Sequence, residues 1–188
     1  MRDVVALVFN YSVNGLLADP DTDFWTFVFT SLDEHGGPDH DEQTLGLLGG
    51  ASEHLMGRVA YEGMAKALSS NTEHPWFTAL NTVPKVVFST TLQSAAWSGT
   101  TIVSGDTAEE MHRLRQGDGH LIVWGGVTLW RSLMSLDLID EYRISMYPFL
   151  TAEGTPVFHD LPASYRLDLI SSPADAQGVL ELHYRRHR

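Results

Sequence analysis

The chain has no cysteine. Disulfides, thiolate nucleophiles and cysteine-bound metals are therefore excluded, and its chemistry must come from other side chains or from a bound group. Basic residues are few: 12 lysines and arginines stand against 24 aspartates and glutamates, a formal net charge of -12. A nucleic-acid binder presents a basic face. Here the basic residues are scattered, apart from the terminal "HYRRHR", which reads as a solvated tail. No nucleic-acid partner is expected, whereas a small anion stays open because it needs only local donors. Long apolar runs are missing too. No stretch approaches the roughly 20 residues of a membrane span, and the apolar part of "MRDVVALVFN" is too short for a signal peptide. The expectation is a cytoplasmic protein with no membrane partner. Repeats and low-complexity linkers are absent, so residues 1–188 are expected to form one domain, with 43% hydrophobic residues to fill one core.

What is present is an alternation of strands and helices. "VVALVF" (Val4 to Phe9) is nearly all apolar, as a strand buried on both faces would be, and "NYSVNGLLADPDTD" after it carries loop signals. Helices are expected over Phe24 to Leu32, Asp41 to Leu48 and "RVAYEGMAKAL", with "SEHLMG" and "KVVFS" as strands. In "SGDTAEEMHRLRQGDGH", Thr107 and Glu110 match a capping box and Gly117 a stop. "LIVW" is the next strand, and the helix after it sets Leu129, Leu133 and Leu136 on one face. "IDEYRISMYPFL", "YRLDLIS" and "GVLELHYR" alternate and close the chain as strands, the last two antiparallel and polar on one face. The pattern is α/β: a mostly parallel sheet of about eight strands, an antiparallel C-terminal edge, and helices on both faces.

Gly125-Gly126 separates a buried strand from an amphipathic helix. In open α/β sheets ligands bind beyond the carboxyl ends of the strands. First-turn N–H groups there have no partner within the helix, and glycine lets an anion come close. A plain turn would need the same glycines, and the full GxGxxG fingerprint is absent. Two more junctions look similar. Gly57 and Arg58 follow one strand, and Ser89, Thr90 and Thr91 end another. Arg58 can grip a phosphate or pair with Glu62 one helical turn on. Three such junctions on one sheet edge would suit a dinucleotide.

The order "YSVNG", "LMGRVAYEGM", "PKVVFSTTL" and the stretch from Val123 to Phe158 resembles the dihydrofolate-reductase-like superfamily. Within it, the chain is most similar to the reductase domain of the bifunctional riboflavin-biosynthesis deaminase-reductase and its stand-alone relatives. The resemblance implies a three-layer fold that binds NADPH and reduces a pyrimidine or pteridine-like small molecule. It implies that Gly125, Gly126, Val127 and Thr128 hold the pyrophosphate. Gly57 and Arg58 would face the adenosine phosphate, and Ser89 and Thr90 the adenine ribose. Ser12, Asn14 and Gly15 would form the loop by the nicotinamide and substrate. This chain has Asn14 where the family loop carries aspartate, and Ala60 where a threonine often follows Gly-Arg-x. The resemblance also implies a homodimer, for which "VLELHYR" offers an edge. The rival from another class is a non-catalytic nucleotide- or small-ligand-binding protein with the same fold.

Other candidates carry two readings each. Asp23 opens the first helix after the loop, and so suits either a catalytic carboxylate or a helix N-cap. Trp25 and Phe24 fit a pocket wall or the core; Tyr61 fits the core or a ligand stack. His35, Asp39, His40 and Asp41 are of metal-ligand type, but a charged Gly-Pro loop is ordinarily a solvated one, so no metal is expected.

Overall fold

The computed structural model describes residues 1–35, 42–68 and 75–188. In chain order the elements are β1 (Asp3–Ser12), β2 (Leu16–Leu17), α1 (Asp23–His35), α2 (Glu42–Gly49), β3 (Glu53–Gly57), α3 (Arg58–Leu68), α4 (Pro75–Thr82) and β4 (Lys85–Phe88). Then come β5 (Thr100–Val103), α5 (Thr107–Leu114), β6 (His120–Gly125), α6 (Val127–Ser135), β7 (Glu141–Tyr147), β8 (Thr155–Pro156), β9 (Leu167–Ser171) and β10 (Leu180–Arg186). The sheet runs β5-β4-β3-β6-β1-β7-β10-β9. The first six of these strands are parallel, whereas β10 and β9 are antiparallel. The carboxyl ends of six strands therefore share one edge, which is where a ligand site belongs.

The near-continuous apolar runs of β1, β3, β4 and β6 arise because both sheet faces are covered. Successive side chains alternate between two cores. Val4, Ala6, Leu55, Val86, Leu121 and Val123 point to one, filled by Met111 and Leu114 of α5 and Leu129 and Leu133 of α6. Leu7, Met56, Val87, Ile122 and Trp124 point to the other, filled by Leu48 of α2, Tyr61 of α3 and Leu80 of α4. Helix α1 joins a third cluster through Phe24 and Val28, against Tyr147 and Val179. Tyr61 is core, as expected, and its hydroxyl accepts from the Trp97 N–H at 3.1 Å.

Several expectations are corrected. Strand β1 runs on to Ser12, because after a register shift Tyr11 and Ser12 still pair with β7. Strand β5 escaped notice because it is short, threonine-rich and at the sheet's edge. Thr107 does not cap α5: the cap is Asp106, whose Oδ1 accepts from Ala108 N–H and Glu109 N–H. Leu136 lies past the end of α6 and is 43% exposed, unlike Leu129 and Leu133. "VLELHYR" is not an edge, since β10 is flanked by β7 and β9. The edge on that side is β9, and its apolar side chains Leu167, Leu169 and Ile170 are exposed.

Nor is the terminal basic run a free tail. His183 pairs with Glu141 at 2.7 Å, Arg185 also pairs with Glu141, Arg186 with Asp137 at 2.9 Å, and Arg188 with Asp140 at 3.0 Å. Asp140 is held from the core side by Arg115 at 2.7 Å and by the Val4 N–H at 2.9 Å. These pairs fasten the last strand to β7 and to the start of β1.

Candidate functional site

A cavity of about 830 Å³ opens at the carboxyl edge, over the ends of β5, β4, β3, β6 and β1. Its size is that of a small-molecule site. The sequence places small and hydroxyl residues at the ends of β3, β4, β5 and β6: Gly57, Ser89, Thr90, Thr91, Ser104, Gly105 and Gly126 all line it.

The β6–α6 junction forms its middle. Gly126 is the N-cap of α6, with φ -72° and ψ -178° and no side chain capping the helix. Helix α6 thus presents free first-turn N–H groups, with the positive end of its dipole, where Gly126, Val127 and Thr128 line the cavity. A Cβ on Gly126 would meet nothing within 4 Å, so it would project into open space. A Cβ on Gly57 would come within 3.2 Å of the Gly126 N, so a small residue at the end of β3 keeps this turn close. Gly125 does not line the cavity. Its φ is +113°, and a Cβ there would press the Trp130 ring at 3.1 Å, which makes it a folding glycine. The Gly125–Gly126 peptide is cis.

The β3–β5 side of the cavity carries Arg58, Ser89 and Thr90. Arg58 serves both of its readings: it lines the cavity and pairs with Glu62 at 2.8 Å, the two side chains being 45% and 47% exposed. Ser89 Oγ accepts from the Thr91 N–H and the Leu92 N–H, and so shapes the turn after β4. Free helix N–H groups, an unobstructed glycine, hydroxyls and one arginine fit a phosphate-bearing dinucleotide. Gly57, Arg58, Ser89, Thr90, Gly126, Val127 and Thr128 would hold it.

The opposite end, by β1, β2 and α1, is different. Phe9, Trp25 and Trp124 wall it, and Asp19 is its carboxylate. Thr155 Oγ1 lies 2.9 Å from each oxygen of Asp19. Thr155 is delivered by the pairing of β8 with β2, which sets Leu17 opposite Thr155. Gly154 permits that pairing: its φ is +146°, and a Cβ there would stand 2.4 Å from the Leu17 carbonyl oxygen. Asp19 and Thr155 were missed in the sequence. The "ADPDTD" and "GTP" stretches are the only local signals, and each looks like an ordinary turn.

Asp23 is exposed in the first turn of α1, outside the cavity lining. It is not the cap either, since Thr22 Oγ1 accepts from the Trp25 N–H at 3.2 Å. Ser12, Asn14 and Gly15 are likewise not brought to the cavity. Ser12 is buried and its Oγ accepts from the Leu16 N–H. Asn14 is exposed, donating to the Thr151 carbonyl at 2.9 Å and accepting from the Thr151 N–H at 3.2 Å, so it ties two loops together. Gly15, at φ +87°, makes the turn. Trp25 lines the cavity, whereas Phe24 is core.

Beneath the cavity wall lies a fully buried histidine. Trp124 Nε1–H donates to His54 Nδ1 at 2.7 Å. Burial, helped by the nearby Lys85 and His120, pushes the His54 pKa down to about 3, against a smaller upward pull from the Leu48 backbone. His54 is therefore neutral at physiological pH and remains an acceptor for the indole.

Among the described residues no group of acidic or histidine side chains could hold a metal ion. Asp39, His40 and Asp41 lie outside the described residues, as does the His35 side chain. No helix among the described residues is long and apolar enough to cross a membrane.

The model of one family, the RibD C-terminal domain, matches residues 4–180. Among curated proteins, the chain is 27% identical over 135 residues to the uncharacterized protein YyaP of Bacillus subtilis (strain 168), covering 69% of this chain and 71% of that one. It is 37% identical over 75 residues to YwjB of the same organism, also uncharacterized, covering 39% and 42%. Among solved structures, a Shewanella sp. PV-4 protein provisionally assigned to riboflavin biosynthesis matches with a TM-score of 0.74 at 24% identity, over 100% of both chains. Dihydrofolate reductase from Enterococcus faecalis, complexed with NADP(H) and RAB-propyl, matches with a TM-score of 0.58 at 14% identity, over 99% and 97%. A pyrimidine reductase-like protein from Corynebacterium diphtheriae gives 0.55 at 14%, over 100% and 92%. The expected dihydrofolate-reductase-like fold is thus the fold of this chain.

Proposed function

We propose that this chain, which belongs to the RibD C-terminal domain family, is an NADPH-dependent reductase of a small heterocyclic substrate. The observation that carries the reading is the uncapped start of α6 opening into the cavity at Gly126, with no atom within 4 Å of where a Cβ would stand. A family and fold of reductases support it, as does the NADP(H) bound by the Enterococcus faecalis neighbour.

NADPH, when bound, supplies a hydride. The chain's residues do the rest. Free N–H groups of α6 and the Thr128 hydroxyl bind the pyrophosphate. Arg58 meets the adenosine phosphate, a fork matched to three charged oxygens. Trp124, held by His54, and Trp25 wall the end where the substrate ring lies and keep water from it. Asp19, held by Thr155, is the group within the cavity that can accept a substrate N–H or pass on a proton.

The test is calorimetric titration with NADPH, followed by NADPH oxidation with pyrimidine and pterin substrates. Tight NADPH binding with turnover supports the reading; NADPH binding without turnover of any of them would favour the non-catalytic rival. A homodimer is part of the proposal, now through β9, because Leu167, Leu169 and Ile170 are exposed on that edge strand. Light scattering of the purified chain decides it, and a monomer at micromolar concentration would remove it.

A further inference from the structure

One face of α3 carries three charged residues a turn apart: Arg58, Glu62 and Lys66. Arg58 is the first residue of the helix and, of the 12 lysines and arginines, the one that lines the cavity. The helix dipole disfavours a cation at that end and favours one in the last turn, where Lys66 stands. Acid before base is also the stronger of the two orders one turn apart. By helix physics alone, Glu62 belongs with Lys66. It is found on Arg58 instead, whose Nη1 donates to Glu62 Oε2 at 2.8 Å. Long helical side chains lean toward the N-terminus. That lean brings the Glu62 carboxylate, itself outside the lining, up to the guanidinium of the cavity.

The guanidinium is a fork, and Glu62 takes its Nη1. Geometry therefore leaves a phosphate an open edge of Arg58. Charge is another matter, because a carboxylate in contact with the guanidinium offsets much of its attraction for a second anion. The neutral groups on this side do not make up for it. Ala60 brings no hydroxyl to the lining, and Ser89 Oγ already accepts from the Thr91 N–H and the Leu92 N–H. The grip on a phosphate here depends on what Glu62 leaves of the Arg58 charge. The pair is half exposed, so it is a weak one. A phosphate monoester carries more charge than a carboxylate and takes Arg58 from it. Lys66, exposed and one turn further on, then stands ready for Glu62.

We propose that Glu62 is a specificity residue of the cofactor site. Its carboxylate competes with the adenosine phosphate for Arg58, which holds down affinity for the phosphorylated cofactor and leaves the unphosphorylated one untouched. The inference rests on the reading of the cavity as an NADPH site. It adds to that site a residue outside the lining, one that sets how strongly NADPH is preferred over NADH.

Two mononucleotides probe this contact without a nicotinamide: adenosine 2′,5′-bisphosphate and adenosine 5′-monophosphate. Each is titrated calorimetrically into the natural chain and into Glu62→Gln, at low salt, where exposed charges are least screened. Glutamine keeps the length and an oxygen that accepts from Arg58, and removes the charge. The ratio of the two affinities should rise at least about threefold in Glu62→Gln, the size of an exposed ion pair, through the bisphosphate alone. Glu62→Ala should raise it as well. An unchanged or lower ratio in Glu62→Gln would overturn the inference. So would a fall in Glu62→Ala, which would make Glu62 a prop for the guanidinium and not its rival, and so would a chain that binds neither mononucleotide. Both substitutions fall on an exposed helix position, and thermal melting checks that the variants fold. NADPH and NADH are titrated separately. If NADPH does not bind, the cofactor reading fails, and the mononucleotide ratio still decides the part played by Glu62.

Discussion

The two halves of the sheet treat buried polar groups in opposite ways. In the antiparallel half, around β7 and β10, charge meets charge. Arg115 and Asp140, 7% and 12% exposed, lie 2.7 Å apart, and Glu141 is shared by His183 and Arg185. In the parallel half, buried polar groups have no counter-ion. His54 stays neutral, and the fully buried Lys85 donates to carbonyls of Asn81, Val83 and Ser98 while burial pushes its pKa down. At the carboxyl edge, the N–H groups of α6 face only the cavity. Groups satisfied within the chain hold the fold, whereas donors aimed at empty space are free for a ligand. One half is built to be closed and the other to be completed.

That contrast can be broken at four places. The largest effect is expected at Arg115→Ala, which strips a buried carboxylate of its nearer partner and should cost about 3 kcal/mol of stability by urea denaturation. NADPH affinity of the folded variant should stay within about twofold of the natural chain, because the site is remote. A stability loss under about 1 kcal/mol, as for an exposed pair, would mean that Arg188 alone suffices for Asp140.

Gly126→Val should do the reverse. A Cβ there meets nothing within 4 Å apart from its chain neighbours, so melting temperature should change little, while NADPH affinity falls by about a hundredfold or more, about 2.7 kcal/mol. Unchanged affinity in a folded variant would sink the pyrophosphate assignment.

Arg58→Ala comes next. Its pair with Glu62 is half exposed and contributes little to stability. Its loss from a phosphate contact should weaken NADPH binding by about 2 kcal/mol, with a much smaller effect on NADH. Equal losses for the two cofactors would reduce Arg58 to a helix ion pair.

The last effect, absent at neutral pH, is a pH dependence at His54. Its folded pKa near 3 lies below its ordinary 6.5. Between those values the unfolded chain binds a proton that the folded chain refuses. The contribution is fully present above pH 6.5 and is lost as pH falls toward 3, by about 1.4 kcal/mol per pH unit. His54→Gln keeps an acceptor for Trp124 and should show a shallower loss of stability between pH 6.5 and 4.5. Parallel curves for the two proteins would show that His54 does protonate in the folded state.

Much of the parallel half was legible because its signals are local. The apolar runs of β1, β3, β4 and β6 report burial on both faces, and the glycines at 57 and 126 mark the junctions where the cavity lies. The orientation of Asp23 is not legible in this way. Its position at a helix start looks the same whether the side chain points to solvent or to substrate, and α1 turns it outward. Asn14 sits in a loop whose sequence suggests a site, yet it reaches across to Thr151, a partner 137 positions away. The ion pairs of the terminal run were hidden for the same reason. A basic tail looks solvated until its acids at 137, 140 and 141 are brought beside it.

By itself the sequence determined the strand–helix alternation, the two-faced core and the absence of thiol chemistry, because periodicity and composition act over a few neighbouring residues. It also marked the glycine-bearing strand ends at 57 and 126 that line the cavity. Only the tertiary structure decided that Asp19 and not Asp23 faces the cavity, that Thr155 stands beside it, and that Arg58 is the single cation there. Those facts depend on strand order and on the β2–β8 pairing. They bring together residues far apart in the chain, and no local preference encodes which of them will meet.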